Sequence, residues 1–155
     1  MVRFGIAFWI LSLAFSAYAA AEERVYMLGK VRLTGTTYTS TVFFYAPEVT
    51  SLAMCEKEKR GGHYGRWKHY GHYIRKTAGL FAKRVDYLCV STPTVFKKWH
   101  DRNTYDYVYL VDMREGRFEV KEFPSYLKCL GELRETQKQE SRFYYCSKSN
   151  QAIVD

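Results

Sequence analysis

The stretch "YDYVYLVDMREGRFEVKEFPSYLKC", residues 105–129, contains two segments of alternating polarity followed by a helical pattern. "YDYVYLVDM" and "GRFEVKEF" predict two strands, and Arg114-Glu115-Gly116 between them predicts the turn of a hairpin. Pro124 suits the first turn of a helix, and apolar residues then recur one turn apart along one face. "RFYYCSKS", residues 142–149, predicts a closing strand, so this region is expected to form a ββαβ unit.

The first half of the chain repeats this order of predicted elements. "RVYMLGKVRL" and "TYTSTVFFY" predict two strands separated by Thr34-Gly35. Pro47 suits the first turn of a helix that runs to about Arg60, and "KRVDYLCVS" predicts the strand that ends the unit. Both predicted helices contain the spacing Ser-x-x-x-Cys, in "SLAMC" at 51–55 and in "SYLKC" at 125–129.

The cysteines cross-link these units. Cys55, Cys89, Cys129 and Cys146 are an even number, which is typical of a chain oxidised outside the cytosol. Four cysteines allow three pairings, and the repeat favours Cys55 with Cys89 and Cys129 with Cys146. We therefore expect an α+β fold of two tandem ββαβ units, residues 24–91 and 104–148. Helices would cover a largely antiparallel sheet that is cross-linked by two disulfides.

The first 21 residues have the order of a secretory signal peptide. Arg3 precedes an apolar stretch, small residues follow at Ala17 and Ala19, and the chain turns acidic at Glu22-Glu23. An uncleaved anchor is the alternative, because residues 4–21 are near the shortest length that spans a bilayer. We expect a signal peptide over 1–21 and a single exported domain over 22–155, either periplasmic or secreted.

Charge and length distinguish one insertion in the first unit, residues 61–80. Cys55 and Cys89 are 34 positions apart, whereas Cys129 and Cys146 are 17 apart. Residues 57–84 contain nine Lys or Arg and one acid, and the remainder of the chain after residue 21 sums to −1. A positive field this local is a property of binding surfaces rather than of folds, so it indicates an anionic partner.

The insertion interleaves cations with aromatic rings, a combination that suits polyanions. Lys and Arg bind phosphate, sulfate or carboxylate groups, while aromatic rings stack on bases or sugars. We expect a non-enzymatic binding protein whose partner is a polyanionic glycan, a nucleic acid, the lipid headgroups of a membrane surface or an acidic protein. The expected ligand-binding residues are Arg66, Trp67, Lys68, His69, Tyr70, His72, Arg75 and Lys76.

A second segment would extend this surface. "TPTVFKKWHDRN", residues 92–103, predicts a short helix with Thr92 as its cap and Pro93 in its first turn. The side chains that this helix would add to the surface are those of Lys97, Lys98, Trp99, His100 and Arg102.

Three alternative functions stay open. A metal site would use His63, His69 and His72, although no carboxylate or thiol between Lys59 and Arg84 completes its coordination shell. A phosphodiester-cleaving enzyme would exchange a proton between two histidines, but no catalytic or cofactor motif stands in the sequence. We therefore expect no catalytic residues and no cofactor. In the third alternative, the basic segment is the solvated face of a structural envelope protein.

Overall fold

The computed structural model describes residues 22–33, 38–61, 82–100, 104–139 and 143–154, which form eight strands and two helices. The strands are β1 Arg24–Leu33, β2 Thr39–Tyr45, β3 Ala82–Thr92, β4 Val95–Phe96, β5 Tyr107–Arg114, β6 Arg117–Phe123, β7 Phe143–Ser149 and β8 Ile153–Val154. The helices are α1 Leu52–Arg60 and α2 Tyr126–Gln139. We call β1 to β4 with α1 the first half, and β5 to β8 with α2 the second half. A hairpin, a helix and a strand follow one another in each half, in the order expected.

Six of the strands form a closed barrel in the order β1-β2-β7-β5-β6-β3. Pairing is antiparallel within each half, where β1 lies between β2 and β3, and β5 lies between β6 and β7. Pairing between the halves is parallel, at Ser40 with Lys148 and at Ser91 with Arg117.

This closure corrects the predicted fold class. The expected α+β arrangement, two tandem ββαβ units in a largely antiparallel sheet covered by helices, is wrong because the sheet is mixed and closed. Each half alone would be a three-stranded sheet with an unpaired strand edge on either side. Joining the two sheets edge to edge gives every edge strand a partner, and a barrel is the arrangement in which no edge remains open.

The barrel interior is filled by aromatic and aliphatic side chains. Its buried members are Tyr26, Leu28, Phe43, Val90, Phe96, Tyr109, Val111, Phe118 and Tyr145. The ring of Phe43 stacks on Phe96 and on Phe118, with centroids 3.9 Å and 5.5 Å away. Side chains of this size fill a small barrel and leave no central channel.

The short strands β4 and β8 pair with each other, which corrects the prediction of a helix over residues 92–103. Phe96 pairs with Ile153 across the two strands and is buried in the barrel interior. The hydroxyl of Thr92 accepts a hydrogen bond from the backbone N–H of Thr94, 3.1 Å away, and so supports a local turn instead of capping a helix. The predicted helix is wrong because burial of Phe96 and a distant strand partner outweigh a local capping signal.

Both helices pack outside the barrel, and each is cross-linked to a strand of its own half. The disulfides Cys55–Cys89 and Cys129–Cys146 confirm the predicted pairing. The Ser of each Ser-x-x-x-Cys spacing accepts a hydrogen bond in the first helical turn, Ser51 from Met54 N and Ser125 from Lys128 N. The helix α1 begins at Leu52 and not at Pro47, which lies in a turn.

Candidate functional site

The predicted binding residues Arg66, Trp67, Lys68, His69, Tyr70, His72, Arg75 and Lys76 lie outside the described residues. The metal candidates His63, His69 and His72 lie outside them as well. What the structure places is the two ends of the insertion. The first end follows α1 at Gly61, and the second end precedes β3, which begins at Ala82.

The last turn of α1 continues the positive charge of the insertion. It contains Lys57, Lys59 and Arg60, and the backbone N–H of Gly61 closes the helix on the carbonyl of Lys57. Cations at this position are favourable because the carbonyl end of a helix carries partial negative charge. Lys59 also forms an ion pair with Glu56 at 2.7 Å.

A depression lies between the last turn of α1, the middle of β3 and residues of β1 and β7, and we call it the mouth depression. It is lined by Lys30, Lys59, Val85, Asp86, Tyr87, Leu88 and Phe143. Phe143 is 56% exposed and forms the rim, whereas Lys30 is 7% exposed and lies at the floor. The mouth depression therefore combines cations with an accessible ring beside both ends of the insertion.

Lys30 faces the barrel interior, on the same side of β1 as Tyr26 and Leu28. Its Nζ lies 3.7 Å from the ring centroid of Tyr145 and 4.7 Å from that of Phe143, within the range of cation–π interaction. No salt bridge of Lys30 is found among the described residues. Burial lowers the pKa of Lys30, the charge of Arg32 lowers this pKa further, and the carboxylate of Asp86 opposes both effects.

Hydrogen-bonding groups surround Lys30 at this end of the barrel. Asp86 on β3 and Thr41 on β2 lie directly opposite Lys30 in the strand registers. The Thr41 hydroxyl lies 2.6 Å from that of Ser147 and 3.4 Å from that of Tyr145. These buried hydroxyls bond to one another, so they support the wall behind Lys30 and are not exposed nucleophiles.

The sequence contains a signal for Lys30 that the binding-site prediction missed. In "RVYMLGKVRL", residues 24–33, positions of one face alternate as Tyr26, Leu28 and Lys30. A charged residue that follows two large apolar residues on the same strand face is unusual and indicates a special environment.

The residues of the predicted extension differ in exposure, and the extension of the binding surface stays a prediction. Lys97 and Lys98 are exposed, whereas Trp99 is half-buried and packs against Phe44 with ring centroids 5.9 Å apart. The carbonyl oxygen of His100 accepts a hydrogen bond of 2.5 Å from Asn150 Nδ2. Arg102 lies outside the described residues. Trp99 therefore stabilises the barrel wall, and its ring is not offered as a stacking surface.

The described ranges contain no group of three or more His, Cys, Asp or Glu residues that could hold a metal ion. No helix within these ranges is long and apolar enough to cross a membrane. The two disulfides indicate that the chain matures in an oxidising compartment. No protein-family model, curated protein or solved structure matches the chain.

Proposed function

We propose that the protein is exported and acts as a non-enzymatic binding protein that engages an anionic partner through its basic aromatic insertion, residues 61–80. One observation carries this proposal. Residues 57–84 contain nine Lys or Arg and one acid, whereas the remainder of the chain after residue 21 sums to −1. Solubility requires no such concentration, because surfaces that only face water mix both signs of charge.

The placement of the insertion's ends supports the proposal. The disulfide Cys55–Cys89 holds α1 against β3, so both ends of the insertion are fixed to the barrel. A segment fixed at both ends has less conformational freedom to lose when it binds. The cations Lys57, Lys59 and Arg60 at the first end extend the positive charge onto described structure.

The residue types of the insertion support a polyanionic partner. Arg66, Lys68, Arg75 and Lys76 would contact phosphate, sulfate or carboxylate groups, and Trp67 would stack on a sugar or a base. The partner would be an anionic glycan, a nucleic acid, a membrane surface or an acidic protein. Export is supported by the signal-peptide pattern of residues 1–21 together with the two disulfides.

Salt-gradient elution tests the proposal. The oxidised mature chain is applied to sulfated-polysaccharide and single-stranded DNA columns beside the variant Arg66→Gln/Lys68→Gln/Arg75→Gln/Lys76→Gln. We expect the native chain to elute late and the variant early from at least one column. The logarithm of affinity falls linearly with the logarithm of salt concentration, and each phosphate contact that is removed makes this slope smaller by about one.

A charge-matched control separates a site from the effect of net charge. The variant Arg117→Gln/Lys121→Gln/Lys128→Gln/Arg134→Gln loses the same formal charge from exposed positions of the second half. We expect it to elute with the native chain. Equal early elution of the two variants would contradict the proposal, and early elution of the native chain from both columns would exclude a glycan and a nucleic acid as the partner.

A further inference from the structure

Lys30 is a buried amine without a salt bridge in the part of the chain that the structure describes. A buried cation is costly unless rings or an opposite charge compensate its lost hydration. The rings of Tyr145 and Phe143 supply part of that compensation. The carboxylate of Asp86, opposite Lys30 on β3, supplies a further part, and an acidic ligand group entering the mouth depression would add to it.

The second half shows that the barrel does not require a charge at this position. Met27 lies opposite Cys89 and Leu110 lies opposite Cys146, so the two disulfides give a common reference for comparing the halves. Lys30 is three residues after Met27, Asp86 is three residues before Cys89, and the two pair with each other in the first half. The equivalent pair in the second half is Met113 with Phe143. This pair carries no charge, with Met113 partly buried and Phe143 56% exposed, which favours a functional role for Lys30.

We propose that the mouth depression binds one acidic sugar residue, with its carboxylate or sulfate at Lys30 and its ring against Phe143. This inference rests on the proposed function and narrows the partner to an acidic glycan. The exposed ring of Phe143 offers a face on which the apolar side of a sugar packs. Lys59 also lines the depression and adds to its positive charge, although it forms an ion pair with Glu56.

The arrangement favours an acidic sugar over a nucleic acid. Lys30 lies at the floor and Phe143 at the rim, so the group that enters deepest has to be the charged one. In an acidic sugar the carboxylate or sulfate projects from the ring. In a nucleic acid the base that would stack on Phe143 is neutral, and the phosphate lies in the backbone.

The charges of the depression favour a singly charged group. Lys30 carries the main positive charge, because Lys59 already pairs with Glu56. One carboxylate or sulfate monoester balances the single charge of Lys30, so either fits better than a doubly charged phosphate monoester.

Titration calorimetry with a uronic-acid disaccharide tests this subsite. We expect the disaccharide to bind the native chain, and cellobiose, its neutral counterpart, not to bind. Lys30→Met should weaken binding by about tenfold or more, since a hydrogen bond to a charged group is lost. Lys59→Gln should weaken binding less, and Lys128→Gln, at an exposed position of α2 outside the depression, should leave it unchanged.

Two further probes distinguish the ligand chemistry. Benzoate carries an acid on an aromatic ring, and inorganic sulfate carries charge without a ring. Weaker binding of both than of the disaccharide supports the acidic sugar. Equal or tighter binding of benzoate or of sulfate would overturn the assignment to a sugar.

The outcomes also separate this inference from the proposed function. If the insertion variant with four Gln substitutions still binds the disaccharide but is no longer retained on the polysaccharide column, both proposals are supported. If the native chain is retained on that column but does not bind the disaccharide, the subsite is refuted and the proposed function stands. If Lys30→Met does not fold, acylation footprinting of the native chain replaces it. The disaccharide must then slow acylation of Lys30 relative to Lys128, which is exposed on α2, and equal rates would overturn the inference.

Discussion

The two halves of the barrel share one set of elements and differ at one end. Each half has a capped helix on the outside and a disulfide that ties this helix to the following strand. At equivalent interior positions the first half has Lys30, Thr41 and Asp86 where the second half has Met113, Phe118 and Phe143. The barrel therefore forms in the second half without a charged residue at these positions.

The departures of the first half from that pattern coincide in space. Its polar interior positions lie near the start of β3, and the insertion enters the fold at the same strand end, Ala82. The polar pair and the basic insertion lie at the same end of the barrel, where the second half has an uncharged pair and a shorter connection between its cysteines. Variants of the two halves test this difference through their free energy of unfolding.

Removing the disulfides is expected to have the largest effect and to treat the halves alike. Cys55→Ala/Cys89→Ala opens a 34-residue loop, and Cys129→Ala/Cys146→Ala opens a 17-residue loop. Each should lower the free energy of unfolding by about 3 to 4 kcal/mol. Doubling the loop adds only about 0.6 kcal/mol. Urea unfolding followed by circular dichroism measures both, and a much larger loss in the first half would show that the insertion stabilises the fold.

Exchanging the interior residues is expected to affect the halves unequally. Met113→Lys places a cation at a partly buried apolar position and should lower the free energy of unfolding by about 2 kcal/mol. Lys30→Met removes a buried charge and should change this energy by less than about 1 kcal/mol, because the second half already has Met at the equivalent position. The same urea measurement compares them. An equal loss in both variants would make Lys30 a structural residue.

Equivalent tyrosines provide a smaller comparison. The Tyr26 hydroxyl accepts a hydrogen bond from Phe96 N at 3.3 Å, and the Tyr109 hydroxyl donates one to the carbonyl of Gln151 at 2.8 Å. Replacing either tyrosine by Phe should cost about 1 to 2 kcal/mol, because a buried partner loses its hydrogen bond. We expect the larger loss for Tyr109→Phe, whose bond is shorter. Urea midpoints at neutral pH measure both variants.

The same tyrosines contribute to the alkaline limit of stability, together with Tyr126 and Tyr145, whose pKa values burial also raises. Burial raises the pKa of Tyr26 and of Tyr109 above the ordinary value of 10.0. At alkaline pH the folded chain therefore keeps tyrosine protons that the unfolded chain releases. The contribution of these hydroxyls to the free energy of unfolding is complete below pH 10.0 and is lost as pH rises through the raised pKa values. The lowered pKa of Lys30 gives stability a pH dependence of the opposite sign. The tyrosine variants are therefore also measured in a Lys30→Met background. A Tyr109→Phe variant with an unchanged alkaline slope would contradict this assignment.

Local patterns were sufficient to predict much of each half. Alternating polarity predicted the hairpin β5–β6, and its turn contains Gly116 at a φ of +81°, a conformation that glycine adopts without strain. The repeated Ser-x-x-x-Cys spacing predicted the disulfide pairing, because the helix cap and the cysteine are both local features.

Closure of the barrel could not be predicted in the same way. Its parallel contacts, Ser40 with Lys148 and Ser91 with Arg117, join strands that are distant in sequence. Period-two alternation is the same in an open sheet and in a barrel, so it carries no information on closure. The pairing of β4 with β8 is equally remote, which is why a local helical signal prevailed for residues 92–103. The predicted binding residues of the insertion stay a prediction.

Shortening the insertion is expected to change stability least. Deleting residues 62–78 would give Cys55 and Cys89 the 17-residue spacing of the second half. The six barrel strands pair without these residues, and halving a loop changes its closure entropy by only about 0.6 kcal/mol. Urea unfolding should therefore give nearly the native free energy, while retention on the anionic columns is lost. Replacing 62–78 by a Gly/Ser linker of equal length is the control for length, and it should behave like the deletion. If neither variant folds, the insertion is part of the core, and the proposed function is lost with it.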